Sequence, residues 1–357
     1  MTDLNTPKII CTTRYARIQL LEDKSVAKSV KIESQCAPHD VETELRILES
    51  CHHPHIIPVL SSKLEQGILE IRMPHIELDL YQFMKSHYRT KQQRAYLDSL
   101  LSLSEGALAL GGVKIRKNHL SIERTLKIIT QIADAIAYIH DLGIIHRDIK
   151  PQNVLINPNT DHIYLIDFGI AYDTTPTAHH KYSETDNNKI HDVSTSIYKA
   201  PELMFSVRNY SLPVDIWSFA VLISQLFQDQ IETKSASIPA FVDDGSEELD
   251  AGTDIRAIMS VFHHLGIPSQ QQWPQVVKYG SGGFVGIFGT QGDGNYIFEK
   301  PWQDQLARVE LMFPRLKEVP QYQQLAKLLL HMLLFDTEKR ITANETFKTL
   351  QSLLPHQ

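Results

Sequence analysis

A chain of 357 residues with 42% hydrophobic content can bury a sizeable core, either as one large domain or as two lobes sharing a cleft. Its 35 Lys and Arg against 42 Asp and Glu give a formal charge of -7, which excludes a global electrostatic attraction to nucleic acid or an anionic membrane. The three cysteines, Cys11, Cys36 and Cys51, have neither metal nor disulfide-framework spacing and read as reduced thiols. Met1 to Asn5 lacks the layout of a signal peptide, and no apolar run approaches the ~18 to 20 residues of a membrane span. The expectation is a soluble intracellular protein, in the cytoplasm, the nucleus or both.

From about Ile9 to Ile76 the pattern predicts short strands around one helix. Val26, Lys28, Val30 and Ile32 alternate along one strand, and Val41 to Ser50 has helical character. Lys85 to His119 mixes basic residues (Arg89, Lys91, Arg94) with a small-residue stretch ending in Gly111-Gly112, and reads as an insertion, with disorder favoured by its composition. Behind Ser121, with Glu123 and Arg124 in the first turn, Leu126, Ile129, Ile132, Ala133, Ile136, Ala137 and Ile139 form an apolar stripe. A second irregular region is expected at about 229–298. The fold class expected is α+β: a small β-rich lobe over 1–77 and a large helical lobe over 78–357, with insertions at about 85–119 and 229–298. Internal repeats and low-complexity tracts are absent.

The strongest local signal is Ile145-His146-Arg147-Asp148-Ile149-Lys150-Pro151-Gln152-Asn153-Val154-Leu155, followed by Leu165-Ile166-Asp167-Phe168-Gly169. A single Asp or Asn in a loop is usually a turn or cap residue, but this joint spacing resembles the catalytic loop and Asp-Phe-Gly motif of protein kinases. The resemblance implies a bilobal kinase fold using ATP and Mg²⁺. Asp148 would accept the substrate hydroxyl proton, Lys150 would offset charge on the transferred phosphoryl group, and Asn153 and Asp167 would hold the metal. Ser25-Val26-Ala27-Lys28 resembles the strand whose Lys meets the α- and β-phosphates, with Glu44 as its helical partner; Lys31 is the rival lysine. Met73 stands at the gatekeeper position and Pro74 to Glu77 at the hinge. Ala200-Pro201-Glu202, Asp215-Ile216-Trp217-Ser218 and Arg340 extend the likeness to nearly the whole chain, with Glu202 and Arg340 as partners.

His264-Leu265-Gly266-Ile267-Pro268 with Trp273-Pro274 resembles the segment carried by cyclin-dependent kinases and their relatives. Within that group, Thr13-Arg14-Tyr15-Ala16-Arg17-Ile18, Thr195 to Glu202, Asp243-Asp244-Gly245-Ser246 and Phe284 to Gly289 resemble the fungal single-subunit CDK-activating kinases. That resemblance implies a cyclin-dependent kinase as protein substrate, phosphorylated on its activation-loop Thr. Several departures bear on this expectation. No glycine precedes Gly67, so the phosphate-covering Gly-rich loop is missing and Thr12 to Ile18 stands in its place. Arg14 and Arg17 are there either to assist the phosphates or as solvated strand residues. Ile190 occupies the position of the usual activating phospho-Thr and cannot carry charge to Arg147, which predicts activity without a phosphate there; Thr174, Thr175, Thr177, Ser183 and Thr185 are the other modifiable positions. The helix around Glu44 lacks the cyclin-docking sequence, so a monomer without an obligate cyclin is expected. Lys199 replaces the Arg of proline-directed relatives. The competing readings are a CDK-like kinase with other substrates and a catalytically silent scaffold of the same fold.

Overall fold

In the computed structural model, which describes residues 8–90, 115–175, 182–232, 235, 237–243 and 254–354, the first part of the chain folds into a five-stranded antiparallel sheet. Its strands are β1 (Lys8–Thr12), β2 (Ala16–Leu20), β3 (Ser25–Lys31), β4 (Ser61–Glu65) and β5 (Ile68–Pro74), in spatial order β1-β2-β3-β5-β4. Successive side chains of a strand face opposite ways. In β3 this sends Val30 into a small core with Val41, Leu69 and Ile71. The helix α1 (Val41–Ser50) packs below that sheet and begins where the sequence places it, because the Asp40 carboxylate accepts from the Glu42 and Thr43 amides as an N-cap.

The remainder is predominantly helical. A long helix, α3 (Ile122–Asp141), is capped by Ser121, whose hydroxyl accepts from the Arg124 amide. All seven residues of its predicted stripe are buried, and so are Ile128 and Ala135, so the helix is enclosed on more than one side. Another, α5 (Pro213–Leu226), runs through the centre of this lobe with Val214 to Leu226 all buried. Around them lie α2 (Leu80–Ser86), α4 (Pro201–Met204), α6 (Asp254–Leu265), α7 (Pro274–Tyr279), α8 (Gly283–Phe288), α9 (Trp302–Met312), α10 (Tyr322–Met332) and α11 (Ala343–Ser352). No helix among the described residues is long and apolar enough to cross a membrane.

Two regions expected to be irregular contain ordered elements. The ends of the 85–119 segment form β7 (Tyr88–Thr90) and β8 (Ile115–Asn118), which pair with each other, and β8 pairs on its other edge with β13 (Gln230–Glu232) in a three-stranded sheet; residues 91–114 lie outside the described residues. Likewise, the segment from Asp254 to Phe288 carries α6, α7 and α8 rather than an excursion. Their apolar faces supply Val261, Val276 and Phe284 to the main core, joined by Trp273 at the N-cap of α7. All three cysteines are free: Cys11 and Cys36 exposed, Cys51 buried, and burial raises the Cys51 thiol to about 11.

The lobes meet through short backbone contacts and one small sheet. Leu165 donates its amide to the His55 carbonyl and accepts from the Ile57 amide, at 2.8 and 3.2 Å. The strands β6 (Leu78–Asp79), β10 (Val154–Ile156) and β11 (Ile163–Leu165) place the catalytic-loop candidates directly beneath the five-stranded sheet. The paired strands β9 (Ile144–Ile145) and β12 (Tyr172–Asp173) bracket the segment between them.

Glu202 and Arg340, which the sequence pairs over 138 positions, form a bidentate contact at 2.7 and 3.0 Å with both side chains fully buried. Arg340 also donates to the carbonyls of Leu334 and Pro213 and lies over the Trp217 ring. Removing one member strands a buried charge, so Arg340→Ala is expected to cost about 3–5 kcal/mol of unfolding free energy in urea titration; an unchanged midpoint would refute the structural role of the pair.

Candidate active site

The candidate site begins with a buried carboxylate. Asp215, in the first turn of α5, has no exposed surface. It accepts from the backbone amides of His146 at 2.8 Å and Arg147 at 2.9 Å, and lies 3.0 Å from His140 Nε2. These bonds hold Arg147 at φ 68°, a left-handed conformation disfavoured for a side chain of this size. The turn presents Asp148 toward the cleft.

Both oxygens of Asp148 are held. Thr195 donates its hydroxyl to Oδ1 at 2.8 Å; Asn153 Nδ2 donates to Oδ2 at 2.8 Å, and Lys150 Nζ lies 2.9 Å from the same oxygen. Lys150 also donates to the Thr195 hydroxyl at 2.7 Å, so the lysine, the threonine and the two polar loop residues form one connected set. The sequence singled out Asp148, Lys150 and Asn153; Thr195 entered it as the first residue of the Thr195 to Glu202 segment, with no role assigned to its hydroxyl.

Across the cleft, Lys28 donates to Glu44 Oε1 at 2.7 Å, to Glu44 Oε2 at 2.8 Å and to Asp167 Oδ1 at 2.9 Å. Lys31 is exposed, with its ammonium toward Glu33, so of the two lysines weighed it is Lys28 that the fold brings to Glu44 and Asp167. Burial opposes the Lys28 charge, but Asp167 and Glu44 more than offset it and raise its pKa. Glu44 is pushed up by burial, while its bond to Lys28 favours the ionised form; with 2.7 and 2.8 Å contacts to an ammonium, the carboxylate is the form the geometry selects. Asp167, whose own φ is 63°, is held at about 2 by the adjacent Lys28 ammonium. That lowered value means its share of stability is complete above the ordinary 3.8 and disappears only as pH falls through about 2.

The oxygens left over define what the site can hold. Asp167 uses Oδ1 for Lys28 and Asn153 uses Nδ2 for Asp148, which leaves Asp167 Oδ2 and Asn153 Oδ1 without hydrogen bonds among the described residues. One carboxylate and one amide oxygen suit Mg²⁺, a hard cation that completes its octahedron with water and phosphate oxygens. No group of three or more His, Cys, Asp or Glu among the described residues could hold a metal unaided, so such an ion would depend on a phosphate-bearing ligand for the rest of its shell.

The loop at the position of the missing glycines is a tight turn. Thr13 donates its amide to the Ala16 carbonyl at 2.8 Å, and its hydroxyl oxygen accepts from the Ala16 and Tyr15 amides at 3.0 and 3.4 Å. The Tyr15 ring lies tilted at 41° against the His39 ring, with centroids 4.7 Å apart. Of the two arginines weighed for phosphate contact, Arg17 pairs in register with Ser29, whereas Ile18 pairs with Lys28. Neighbouring positions alternate faces, so Arg17 lies on the side of the sheet away from the cleft. Arg14 is exposed and its guanidinium lies over the Tyr15 ring. Met73 pairs with Val26 on the neighbouring strand, and Pro74 ends β5.

Comparison with known proteins places this geometry. The model of the protein kinase domain matches residues 15–350, and the chain belongs to the protein kinase family. It is 36% identical to the serine/threonine-protein kinase CAK1 of Saccharomyces cerevisiae, over 98% of both chains. It is 29% identical to the serine/threonine-protein kinase csk1 of Schizosaccharomyces pombe, over 76% of this chain and 72% of that one. In three dimensions it matches a chain in the structure of the CAK complex from Chaetomium thermophilum bound to ATP-γ-S, with a TM-score of 0.63, 22% identity, and coverage of 96% and 88%.

Replacing Asp148 by Asn keeps an acceptor for Thr195 but removes the carboxylate that could accept a proton. Asp148→Asn is expected to lower phosphoryl transfer by about a hundredfold or more with little change in melting temperature. Thr195→Val, which removes the hydroxyl bridging Lys150 and Asp148 Oδ1 and leaves their direct contact, is expected to lower kcat about tenfold with the KM for ATP nearly unchanged. Steady-state kinetics on both variants decides the matter, and wild-type kcat in Asp148→Asn removes that carboxylate from the reaction.

Proposed function

We propose that this chain is a serine/threonine kinase acting, without a cyclin of its own, on the activation-loop Thr of a cyclin-dependent kinase. Asp148 takes the proton of the acceptor hydroxyl as its oxygen bonds to the γ-phosphorus and the bond to the β-phosphate oxygen breaks, releasing ADP. Lys150 offsets charge on the transferring group. Lys28, positioned by Glu44, meets the α- and β-phosphates. Asp167 and Asn153 would hold Mg²⁺, which when bound would neutralise phosphate charge.

The observation that carries the reading is that the Lys28–Glu44–Asp167 constellation is already assembled in a single chain. In a kinase that needs a partner, placing α1 is the partner's task; here the chain supplies the ties itself. Asp40 donates its amide to the Gly169 carbonyl at 2.8 Å, Tyr182 donates to the His39 carbonyl at 2.8 Å, and Arg46 contacts the Asp173 carboxylate at 2.5 Å. Each joins the α1 region to the segment after Asp167. The choice of substrate rests on the sequence resemblance to the fungal single-subunit CDK-activating kinases and on the likeness to CAK1 over 98% of both chains.

The decisive assay offers the purified chain a monomeric cyclin-dependent kinase, the same kinase with its activation-loop Thr changed to Ala, and a generic basic protein. Labelling of the first alone, with no added cyclin, is the expected outcome. Equal labelling of the Thr→Ala protein defeats the substrate assignment, and absence of Mg²⁺-ATP-dependent labelling of all three favours a silent scaffold.

A further inference from the structure

Arg147 is almost entirely enclosed, with 2% of its surface exposed, and its guanidinium is saturated. Nε donates to the Ile170 carbonyl at 2.5 Å, Nη1 to Glu184 Oε1 at 2.6 Å and to the Tyr210 hydroxyl at 3.0 Å, and Nη2 to Glu184 Oε2 at 3.2 Å and the Ala171 carbonyl at 3.4 Å. The Tyr172 ring lies 5.5 Å from its centre. Glu184, itself buried, spends a further lone pair on the backbone: Oε1 accepts from the Ile190 amide at 2.8 Å. Tyr210 closes the circuit by donating to the Ile190 carbonyl at 2.5 Å. One carboxylate therefore joins the catalytic loop, through Arg147, to the segment that carries Ile190.

We propose that Glu184 is a positioning residue: a resident carboxylate that docks on Arg147 and orders the activation segment, taking the place a phosphate holds in kinases switched on by phosphorylation. Two oxygens of one anion on a planar guanidinium is the bidentate geometry a phosphate would use. A phosphorylated loop is ordered by new Arg–phosphate pairs of this kind. Here the pair exists in the unmodified chain. Ile190 cannot be phosphorylated, and its backbone is the part of the segment that the carboxylate grips. Neighbouring contacts extend the grip, because Lys189 donates to the Asp186 and Tyr210 carbonyls at 2.5 and 2.9 Å and Tyr172 donates to Asp186 at 3.1 Å. Breaking the central pair would strand a buried guanidinium, so the segment has a strong reason to stay in place. The inference rests on the kinase reaction and not on the identity of the protein substrate.

The test uses the full chain made in a bacterial host and treated with a broad phosphatase. Phosphate-free wild type is expected to keep its full kcat. Glu184→Gln, nearly isosteric but uncharged, is expected to lose about tenfold or more in kcat with the KM for ATP within about twofold. Hydrogen exchange should quicken over residues 182–192 and stay slow in α3 and α5, a local signature that general destabilisation does not give. Glu184→Ser, made with and without a genetically encoded phosphate on the new hydroxyl, should recover activity only with the phosphate; this pair decides the question if Glu184→Gln does not fold. Wild-type kcat and a protected Ile190 amide in Glu184→Gln would overturn the proposal. So would exchange rising equally across the whole helical lobe, failure of the phosphate to restore activity, or loss of wild-type activity on phosphatase treatment. Because exchange is read without any protein substrate, a wrong substrate assignment leaves this outcome intact.

Discussion

A carboxylate with no access to water organises the catalytic loop. Burying Asp215 without partners would cost several kcal/mol, and the cost is offset only because the His146 and Arg147 amides and the His140 ring converge on it at 2.8 to 3.0 Å. Its place in the first turn of α5 adds the favourable end of a helix dipole. What this arrangement secures is a strained backbone. Arg147 at φ 68° is a conformation that would relax if the loop were free, and it aims Asp148 and Arg147 in different directions: the first into the cleft, the second into the protein. The proposed base and the proposed anchor of the activation segment are thus adjacent residues, fixed by one buried acid.

The second organising feature is the electrostatic balance in the cleft. Lys28 faces two carboxylates, Glu44 and Asp167, each within 2.9 Å, so the ammonium is strongly favoured and Asp167 remains ionised far below neutral pH. A cluster of this kind is stable only if α1 stays close to the Asp167 segment. The three ties from the α1 region, through Asp40, His39 and Arg46, serve that end, and they reach Gly169, Tyr182 and Asp173 in turn. One of them, from Asp40 to Gly169, is backbone to backbone and does not depend on either side chain.

The sequence made part of this legible and hid the rest for physical reasons. The extent of α1 and the buried stripe of α3 were readable because capping and helical period are local properties. Asp148, Lys150, Asn153 and Asp167 were readable because they lie in two short segments at fixed spacing. Glu184 was not, since an acidic residue between Ser183 and Thr185 looks like any solvated loop position until the chain folds it onto Arg147, 37 residues away. The face of Arg17 was undetermined for a related reason: only the strand register, with Ile18 opposite Lys28, sends it away from the cleft. The small sheet of β7, β8 and β13 joins segments more than a hundred residues apart, and strands of three or four residues leave no period to detect.

The missing glycines can be given a mechanistic meaning on this basis. A glycine loop covers phosphates by offering several free backbone N–H groups at close range. In the turn that replaces it, the amides of Thr13, Tyr15 and Ala16 are already bonded within the turn, to the Ala16 carbonyl and the Thr13 hydroxyl. Those donors are not available to a phosphate unless the turn opens. Arg17 faces the wrong way and Arg14 lies over Tyr15, so the tip brings no cation in compensation. On the proposed reading, charge neutralisation would come from below the nucleotide, from Lys28 and Lys150 and from a metal that Asp167 and Asn153 would hold. A site built this way would concentrate its hold on the phosphates in side chains fixed by ion pairs, and would rely less on closure of a flexible lid.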